Sequence, residues 1–314
     1  MIHMKFYVGV TDNQWFEYLA QLQPDEVNFW RPGGQTSFRA IPAYSPFLFK
    51  LHSPYNFIVG GGFFVRYSLL PLSLAWDSFK NKNGAPDYLT FRSSIMKYWE
   101  KKGSSAEGDP VIGCIILTNP FFSRETEWIP VPKDWNRNIV HGKTYSTDMS
   151  EGARLWAEVE ARLEHYNIVA KSFVTDSAAK ERYGREQLVQ PRLGQGAFRV
   201  LVTEAYSRKC AITGEKTLPV LDASHIKPYS KGGPHAVSNG LLLRQDLHTL
   251  FDRGYMTITE DYKIVVSKRI KEDYGNGREY YRMHGKPLLV LPRSELEFPS
   301  KEFINWHNEN VYVS

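Results

Sequence analysis

The fold of the C-terminal half is decided by LDASHIKPYSKGGPHAVSNGLLLRQDLHTLFD, residues 221–252. Three of its polar residues, His225, Asn239 and His248, follow one another at intervals of 14 and 9 positions. The glycines and prolines between the first two predict a turn-rich loop, because glycine reaches backbone angles that other residues avoid. The apolar residues on either side predict strand, loop, short strand and helix, in that order. Such a unit can aim a histidine from the end of a strand and a second side chain from a helix at one point.

Several shorter matches surround these three residues. The stretch resembles the HNH nuclease motif, also called the ββα-metal or His-Me finger, in the form that carries the elements AH-I-x-P, GG, NGLLL, DLH and LFD-x-G. In this sequence those elements occupy residues 224–228, 232–233, 239–243, 246–248 and 250–254. The resemblance implies a C-terminal domain that hydrolyses DNA with one divalent metal ion.

The resemblance gives each of the three residues a role. Phosphodiester hydrolysis needs a nucleophilic water, stabilisation of the charge that develops at phosphorus, and a leaving 3′ oxygen. A neutral imidazole can take the proton of water near neutral pH, which makes His225 the expected general base. His248 is the expected metal ligand, because a divalent ion held by an imidazole and a hard oxygen neutralises the developing charge. Asn239 matches the middle residue of the motif, which fastens the loop and orients the base.

The second metal ligand stays open at this point. In many relatives an Asp or His directly precedes the base, but here that position is Ser224. Either Ser224 or water fills the coordination site, or Asp222, further along the same strand, reaches it. Mg²⁺ is the expected ion, and Mn²⁺ or Co²⁺ also suits a mixed oxygen and imidazole site. We expect His235 to be solvated or to face phosphate, and Asp252 to form a local cap or ion pair.

The composition is that of a globular protein with room for two domains. The chain has 314 residues, 42% of them hydrophobic and 14% aromatic, and a net charge of +5. Residues 176–314 hold 21 Lys and Arg against 17 Asp and Glu, so the basic excess lies with the nuclease motif, as expected for a half that meets phosphates. Two cysteines, Cys114 and Cys210, exclude a four-cysteine zinc ribbon. With no signal segment and no apolar run of membrane-spanning length, the sequence predicts a cytoplasmic protein with free thiols.

The first half of the chain predicts short strands that form a curved sheet or barrel with two or three small helices. Three groups of motifs resemble a PUA-like domain of the EVE- and SRA-related kind. They are NFWRPGG at 28–34, the pair FLFKL and NFIVGGGFF at 47–51 and 56–64, and a finish of PFF, WIPVP and NIVHGKTY within 120–145. Relatives of this fold flip a modified base out of DNA into an aromatic-walled pocket, which requires ring faces for stacking and polar groups for the base edge. Trp30, beside a Gly-Gly turn, is the leading pocket candidate, followed by Trp15, Asn28, Asp12 and Tyr55.

The fold class expected for the whole chain is α+β. Residues 1–150 form the PUA-like domain, 151–196 a helical linker that starts with a long amphipathic helix, and 197–314 the HNH domain. Behind the motif we expect a hairpin and then a basic, aromatic-rich helix over 267–285. Residues expected to contact the DNA backbone are Arg192, Arg199, Lys227 and Arg244.

These observations predict a modification-dependent DNA endonuclease that restricts DNA containing modified cytosine, such as 5-methyl- or 5-hydroxymethylcytosine. The HNH finger cuts one strand, so double-strand cleavage predicts a homodimer on double-stranded DNA. One alternative is an HNH nuclease whose N-terminal domain senses RNA, a nucleotide signal or a partner protein. The other is a non-catalytic nucleic-acid-binding module. The intact trio of His225, Asn239 and His248 argues against that last alternative.

Overall fold

A computed structural model of the protein describes residues 4–33, 37–100, 108–165 and 193–314. The chain divides into two units, Met1–Gly194 and Gln195–Ser314. Strands and helices occur in both, so the expected α+β class is confirmed. The finer division into residues 1–150, 151–196 and 197–314 stays a prediction. Within the described ranges, no helix is long and apolar enough to cross a membrane.

A seven-stranded sheet forms the framework of the first unit. Its strands follow the order β2-β5-β4-β3-β1-β7, and β6 pairs with β4 outside that path. Strand β1 runs parallel to β3, whereas the other neighbours are antiparallel. The strands are β1 (Lys5–Thr11), β2 (Glu26–Arg31), β3 (Pro46–Leu51), β4 (Phe57–Pro71), β5 (Val111–Phe122), β6 (Ile129–Pro130) and β7 (Gly142–Ser146).

This sheet is open. The sequence predicted either a curved sheet or a barrel, and the barrel is therefore wrong. Closure would require β2 to pair with β7, but in the described part of the chain β2 pairs with β5 and β7 pairs with β1. Side chains along one face of β2 bond instead to the short turn Lys80–Asn83. Trp30 Nε1 donates to the Asn83 carbonyl at 3.0 Å, and Asn28 Nδ2 donates to Asn83 Oδ1 at 2.8 Å.

Each face of the sheet carries its own apolar core, because successive side chains of a strand point to opposite faces. Phe47 and Phe49 lie on one face, in an aromatic core that includes helix α1 (Asn13–Leu22). Leu48 lies on the other face with Phe6 and Val8, and helix α4 (Ser150–His165) packs there through Leu155, Val159 and Leu163. Thus α4, the expected start of the linker, packs on the sheet of the first unit. Two further helices are α2 (Leu72–Phe79) and α3 (Tyr88–Glu100).

The second unit contains the expected order of strand, loop, short strand and helix. Strand β8 (Leu221–His225) pairs antiparallel with β9 (Gly240–Arg244), and helix α6 (Gln245–Asp252) follows directly. Leu241, Leu242, Leu243, Leu247 and Phe251 are buried in one core, which fixes the helix against the strands. The remaining elements are helix α5 (Gln195–Ala205), the hairpin β10 (Met256–Ile258) and β11 (Ile264–Val266), and helices α7 (Arg269–Tyr274), α8 (Arg278–Tyr281) and α9 (Lys301–Asn310).

Candidate active site

The three motif residues lie at the corner between the two strands and α6. His225 is the last residue of β8, and its partner across the ladder is Gly240, the first residue of β9. Asn239 directly precedes β9, and His248 is the fourth residue of α6. The strand pairing and the helix therefore bring together residues that are up to 23 positions apart.

The Asn239 side chain is buried and closes the loop between the strands. Its Oδ1 accepts from the Lys227 amide at 2.9 Å, and its Nδ2 donates to the carbonyls of Lys227 and Pro234, both at 2.9 Å. The loop is tight at Gly233, where an added Cβ would lie 1.9 Å from the Lys227 carbonyl oxygen. One amide thus ties down the chain just after His225 and again just before His235.

His225 lies in an apolar setting. Its ring stacks on Phe198 of α5, with centroids 3.9 Å apart and an interplanar angle of 15°. Burial, and then the nearby His235 and His248, lower the pKa of His225 to about 4, although Asp252 opposes this. The ring is therefore neutral at pH 7, as a general base must be before it takes a proton. A phosphate brought close to it would raise this pKa, because a negative charge favours the imidazolium form.

His235 is half-buried, and its ring contacts His225. His225 Nε2 and His235 Nδ1 lie 2.9 Å apart, and His235 stacks on Tyr229 with centroids 4.4 Å apart at 9°. The expectation that His235 is solvated or faces phosphate stays a prediction, since a residue beside the expected base can also face a bound phosphate.

His248 lies between two carboxylates. Its Nδ1 is 3.4 Å from Asp222 Oδ2, and its Nε2 is 3.2 Å from Asp252 Oδ2. Burial works to lower the pKa of His248, but the two carboxylates outweigh it and raise that pKa to about 9. Asp222 also bonds to Arg199, with Nη1 and Oδ1 3.2 Å apart. Burial tends to raise the pKa of Asp222, but His248 and Arg199 lower it below its ordinary value.

Ser224 has a different environment from Asp222. It is fully buried, and its Oγ has no hydrogen-bond partner among the residues that the structure describes. Asp222 contacts His248 directly, so of the alternatives that the sequence left open, Asp222 is the better-placed oxygen donor.

The donor chemistry around His248 fits a hard divalent cation. Asp222 and Asp252 offer carboxylate oxygens and His248 offers an imidazole nitrogen, the mixed set that Mg²⁺ and Mn²⁺ accept. In the described part of the chain, however, no three His, Cys, Asp or Glu side chains form a group that could hold a metal ion. The two carboxylates contact opposite nitrogens of His248, so the imidazole separates them.

The residues expected to contact the DNA backbone make different contacts within the protein. Arg199 pairs with Asp222, and Arg244 forms a two-point ion pair with Asp246 through Nε at 2.9 Å and Nη2 at 2.6 Å. The Nζ of Lys227 lies over the ring of Trp306, 5.5 Å from its centroid. Arg192 lies outside the described residues.

Two of the five base-pocket candidates lie in the core of the first unit. Trp15 is 4% exposed and packs edge-on against Phe29 and Phe49, and Asn28 is fully buried against Asn83. Neither side chain is exposed, and the assignment of these two residues to the base pocket stays a prediction. Both face inward because α1 and β2 turn those sides toward the sheet core.

The other three candidates are more accessible. Trp30 is half-buried and lies 6.0 Å from the ring of Tyr98, whose hydroxyl donates to Asp12 Oδ2 at 3.5 Å. Asp12 also caps α1 by accepting from the Trp15 amide at 3.0 Å. Tyr55 is 45% exposed and packs edge-on against Trp128.

The roles of Phe198 and Tyr98, and the contact between His235 and His225, were not predicted from the sequence. Phe198 stands 27 positions before His225 and carries no motif of its own, so no local signal marks it. A third histidine within ten residues of the base was a usable signal for His235.

A comparison with known protein families agrees with this site. The HNH endonuclease family matches residues 210–259. These residues form an HNH endonuclease domain, and the chain that carries it is a DNA endonuclease. A search of curated proteins gave no significant match. Among solved structures, the chain is similar to a modification-dependent TagI restriction endonuclease, with 14% identity and a TM-score of 0.28 over 92% of this chain and 76% of that one.

Replacing Asn239 by Ala should destabilise the second unit. The change removes three part-buried hydrogen bonds to the backbone of Lys227 and Pro234, which corresponds to a loss of about 3 kcal/mol in the free energy of unfolding. Urea denaturation measures that loss. The control is Asn305→Ala, which removes one exposed bond to Glu260 and should cost less than about 0.5 kcal/mol. Equal losses in the two variants would contradict the role given to Asn239.

Proposed function

We propose that this protein is a modification-dependent DNA endonuclease, in which the C-terminal unit cuts DNA and the N-terminal unit reads a modified cytosine. The observation that carries the catalytic half is the placing of a neutral His225 beside the Asp222–His248 pair on one strand-and-helix unit. The charges of His248 and Asp252 act on the pKa of His225, so base and ligand candidates share one site.

In the proposed reaction His225 takes a proton from a water molecule. The water oxygen forms the new bond to phosphorus, the bond from phosphorus to the 3′ oxygen breaks, and that oxygen takes a proton from solvent. His248, with Asp222 and with Asp252 close by, would hold a divalent cation, most simply Mg²⁺, which neutralises charge on the phosphate and on the leaving oxygen. Asn239 keeps His225 in place by closing the loop behind it.

Base reading is assigned to the first unit. A flipped base needs a ring to stack on and polar groups for its edge. Asp12, Trp30 and Tyr98 form a group with these properties: two rings 6.0 Å apart and a carboxylate that can accept from an exocyclic amino group. The resemblance of 28–34, 47–51 and 56–64 to PUA-like base readers supports the same assignment.

The biological setting follows from the chemistry. One HNH site cuts one strand, so we propose that two copies act together, as a homodimer on double-stranded DNA. Restriction of modified phage or other foreign DNA would take place in the cytoplasm.

Plasmid cleavage tests the two halves of the proposal separately. Matched plasmids carrying cytosine, 5-methylcytosine or 5-hydroxymethylcytosine are incubated with the protein and Mg²⁺ or Mn²⁺. We expect cutting of a modified plasmid only, and a loss of about 100-fold or more in His225→Ala, since general-base catalysis contributes that much. His141→Ala, which changes an exposed histidine in the first unit, serves as the control.

Each other outcome removes a defined part of the proposal. Equal cutting of all three plasmids would remove the base reader and leave the nuclease. Undiminished cutting by His225→Ala would contradict its role as the base. If modified and unmodified DNA are both left intact, an RNA, nucleotide or protein ligand of the first unit becomes the preferred reading.

Metal binding can be measured without cleavage. Titration of Mn²⁺, followed by the electron paramagnetic resonance signal of the free ion, should show binding that weakens at least about tenfold in His248→Ala and in Asp222→Asn, since each change removes a donor. The matched control is Asp246→Asn, which changes a carboxylate on the same helix that pairs with Arg244. Unchanged Mn²⁺ affinity in both ligand variants would overturn the assignment.

A further inference from the structure

His235 makes a contact that the cleavage chemistry described so far does not use. Its Nδ1 lies 2.9 Å from Nε2 of His225, within hydrogen-bonding distance. The contact joins the expected base to a residue ten positions later, across the loop that Asn239 closes. His225 and His235 are called the histidine pair below.

Aromatic rings hold the histidine pair from both sides. Phe198 stacks on His225 at 3.9 Å, and Tyr229 stacks on His235 at 4.4 Å and 9°. Phe198 also lies 5.7 Å from the ring of His235. The hydrogen bond from Asn239 to the Pro234 carbonyl fixes the backbone next to His235. Ring stacking and a fixed backbone leave the His235 ring little freedom to turn away from His225.

Only one of the two arrangements of the shared proton permits catalysis. A neutral imidazole has one N–H and one free lone pair. If His235 Nδ1–H donated to His225 Nε2, the proton of His225 would be on Nδ1, and no lone pair would remain to accept the proton of water. If His225 Nε2–H donates to His235 Nδ1, the lone pair on Nδ1 of His225 is free.

We propose that His235 is the positioning residue of the general base: its Nδ1 accepts the hydrogen bond from His225 Nε2–H and so fixes the tautomer in which Nδ1 of His225 accepts the proton. The idea rests on the proposed role of His225. When Nδ1 of His225 takes the proton from water, Nε2–H keeps its bond to His235, so the imidazolium that forms stays hydrogen-bonded. An acceptor on the second nitrogen is the usual means by which proteins orient a functional imidazole.

The variants His235→Ala and His235→Asn separate a positioning role from a merely structural one. Ala removes the acceptor, whereas the Asn side-chain oxygen stands close to where Nδ1 stood and can replace it. In His235→Ala we expect kcat for cleavage of the plasmid that wild type cuts best to fall by about 10- to 100-fold, the usual effect of losing an orienting partner. KM for DNA should change little, and His235→Asn should recover most of the rate. The control in the same loop is Ser230→Ala, an exposed position.

A second measurement needs no cleavage at all. Two-bond ¹H–¹⁵N correlation spectra of the full-length protein at pH 7, without metal, report which nitrogen of His225 carries the proton. We expect the Nε2–H tautomer in wild type and in His235→Asn, and a mixture of tautomers in His235→Ala. Circular dichroism establishes that each variant is folded.

The two proposals fail in different ways. Wild-type protein that cuts none of the plasmids would count against the proposed function, while the spectra would still decide the tautomer. A wild-type His225 that carries its proton on Nδ1 would overturn the role of His235, whatever the activity. So would a His235→Ala variant with full kcat and an unchanged tautomer.

Discussion

The active site depends on the side-chain amide of Asn239. Its three hydrogen bonds to Lys227 and Pro234 fasten the loop that connects the paired strands β8 and β9. Because the amide is fully buried, its polar atoms depend on these protein hydrogen bonds and not on water in the folded loop. Burying a polar side chain costs free energy unless its donors and acceptors are hydrogen-bonded. Once they are, the side chain favours one loop conformation, since another conformation would leave them unpaired. The position of the base therefore follows from one satisfied amide.

The environments of His225 and His248 separate their chemistry. His225 lies against Phe198 and beside another histidine, so its charged form is disfavoured and its pKa falls to about 4. His248 lies between Asp222 and Asp252, so its charged form is favoured and its pKa rises to about 9. The neutral ring of His225 can accept a proton, whereas His248 would give up its proton on binding a cation, since a ligating imidazole is neutral. His225 and His248 are the same residue type, so their different roles come from their neighbouring side chains.

Local patterns were sufficient to predict the ββα unit. The spacing of His225, Asn239 and His248 places all three within one strand, loop, strand and helix, where few long-range contacts are needed. The basic helix expected over 267–285 is instead two short helices, because Gly275 and Gly277 adopt positive φ angles of 67° and 133° and end the first one. The sequence Gly275-Asn276-Gly277 contains an Asn-Gly dipeptide, which is a turn signal.

Contacts between residues far apart in the chain could not be predicted from the sequence. The parallel pairing of β1 with β3 and the open order of the sheet depend on which strands become neighbours. The alternation of apolar and polar residues along a strand shows which face is buried, but it does not show which strand lies beside it. Trp15 and Asn28 are polar or aromatic residues near loops, the usual profile of a binding site, yet both serve the core. Phe198 lies on helix α5 and contacts His225, at the end of strand β8, through tertiary packing alone.

The central claim is that His225 directs water, and no other nucleophile, at phosphorus so that the 3′ oxygen leaves. The most direct measurement is cleavage in water enriched in ¹⁸O, with mass spectrometry of the new DNA ends. The account predicts one ¹⁸O atom on each new 5′-phosphate and unlabelled 3′-hydroxyl ends. Label on a 3′-phosphate, or ends that carry no label, would contradict it.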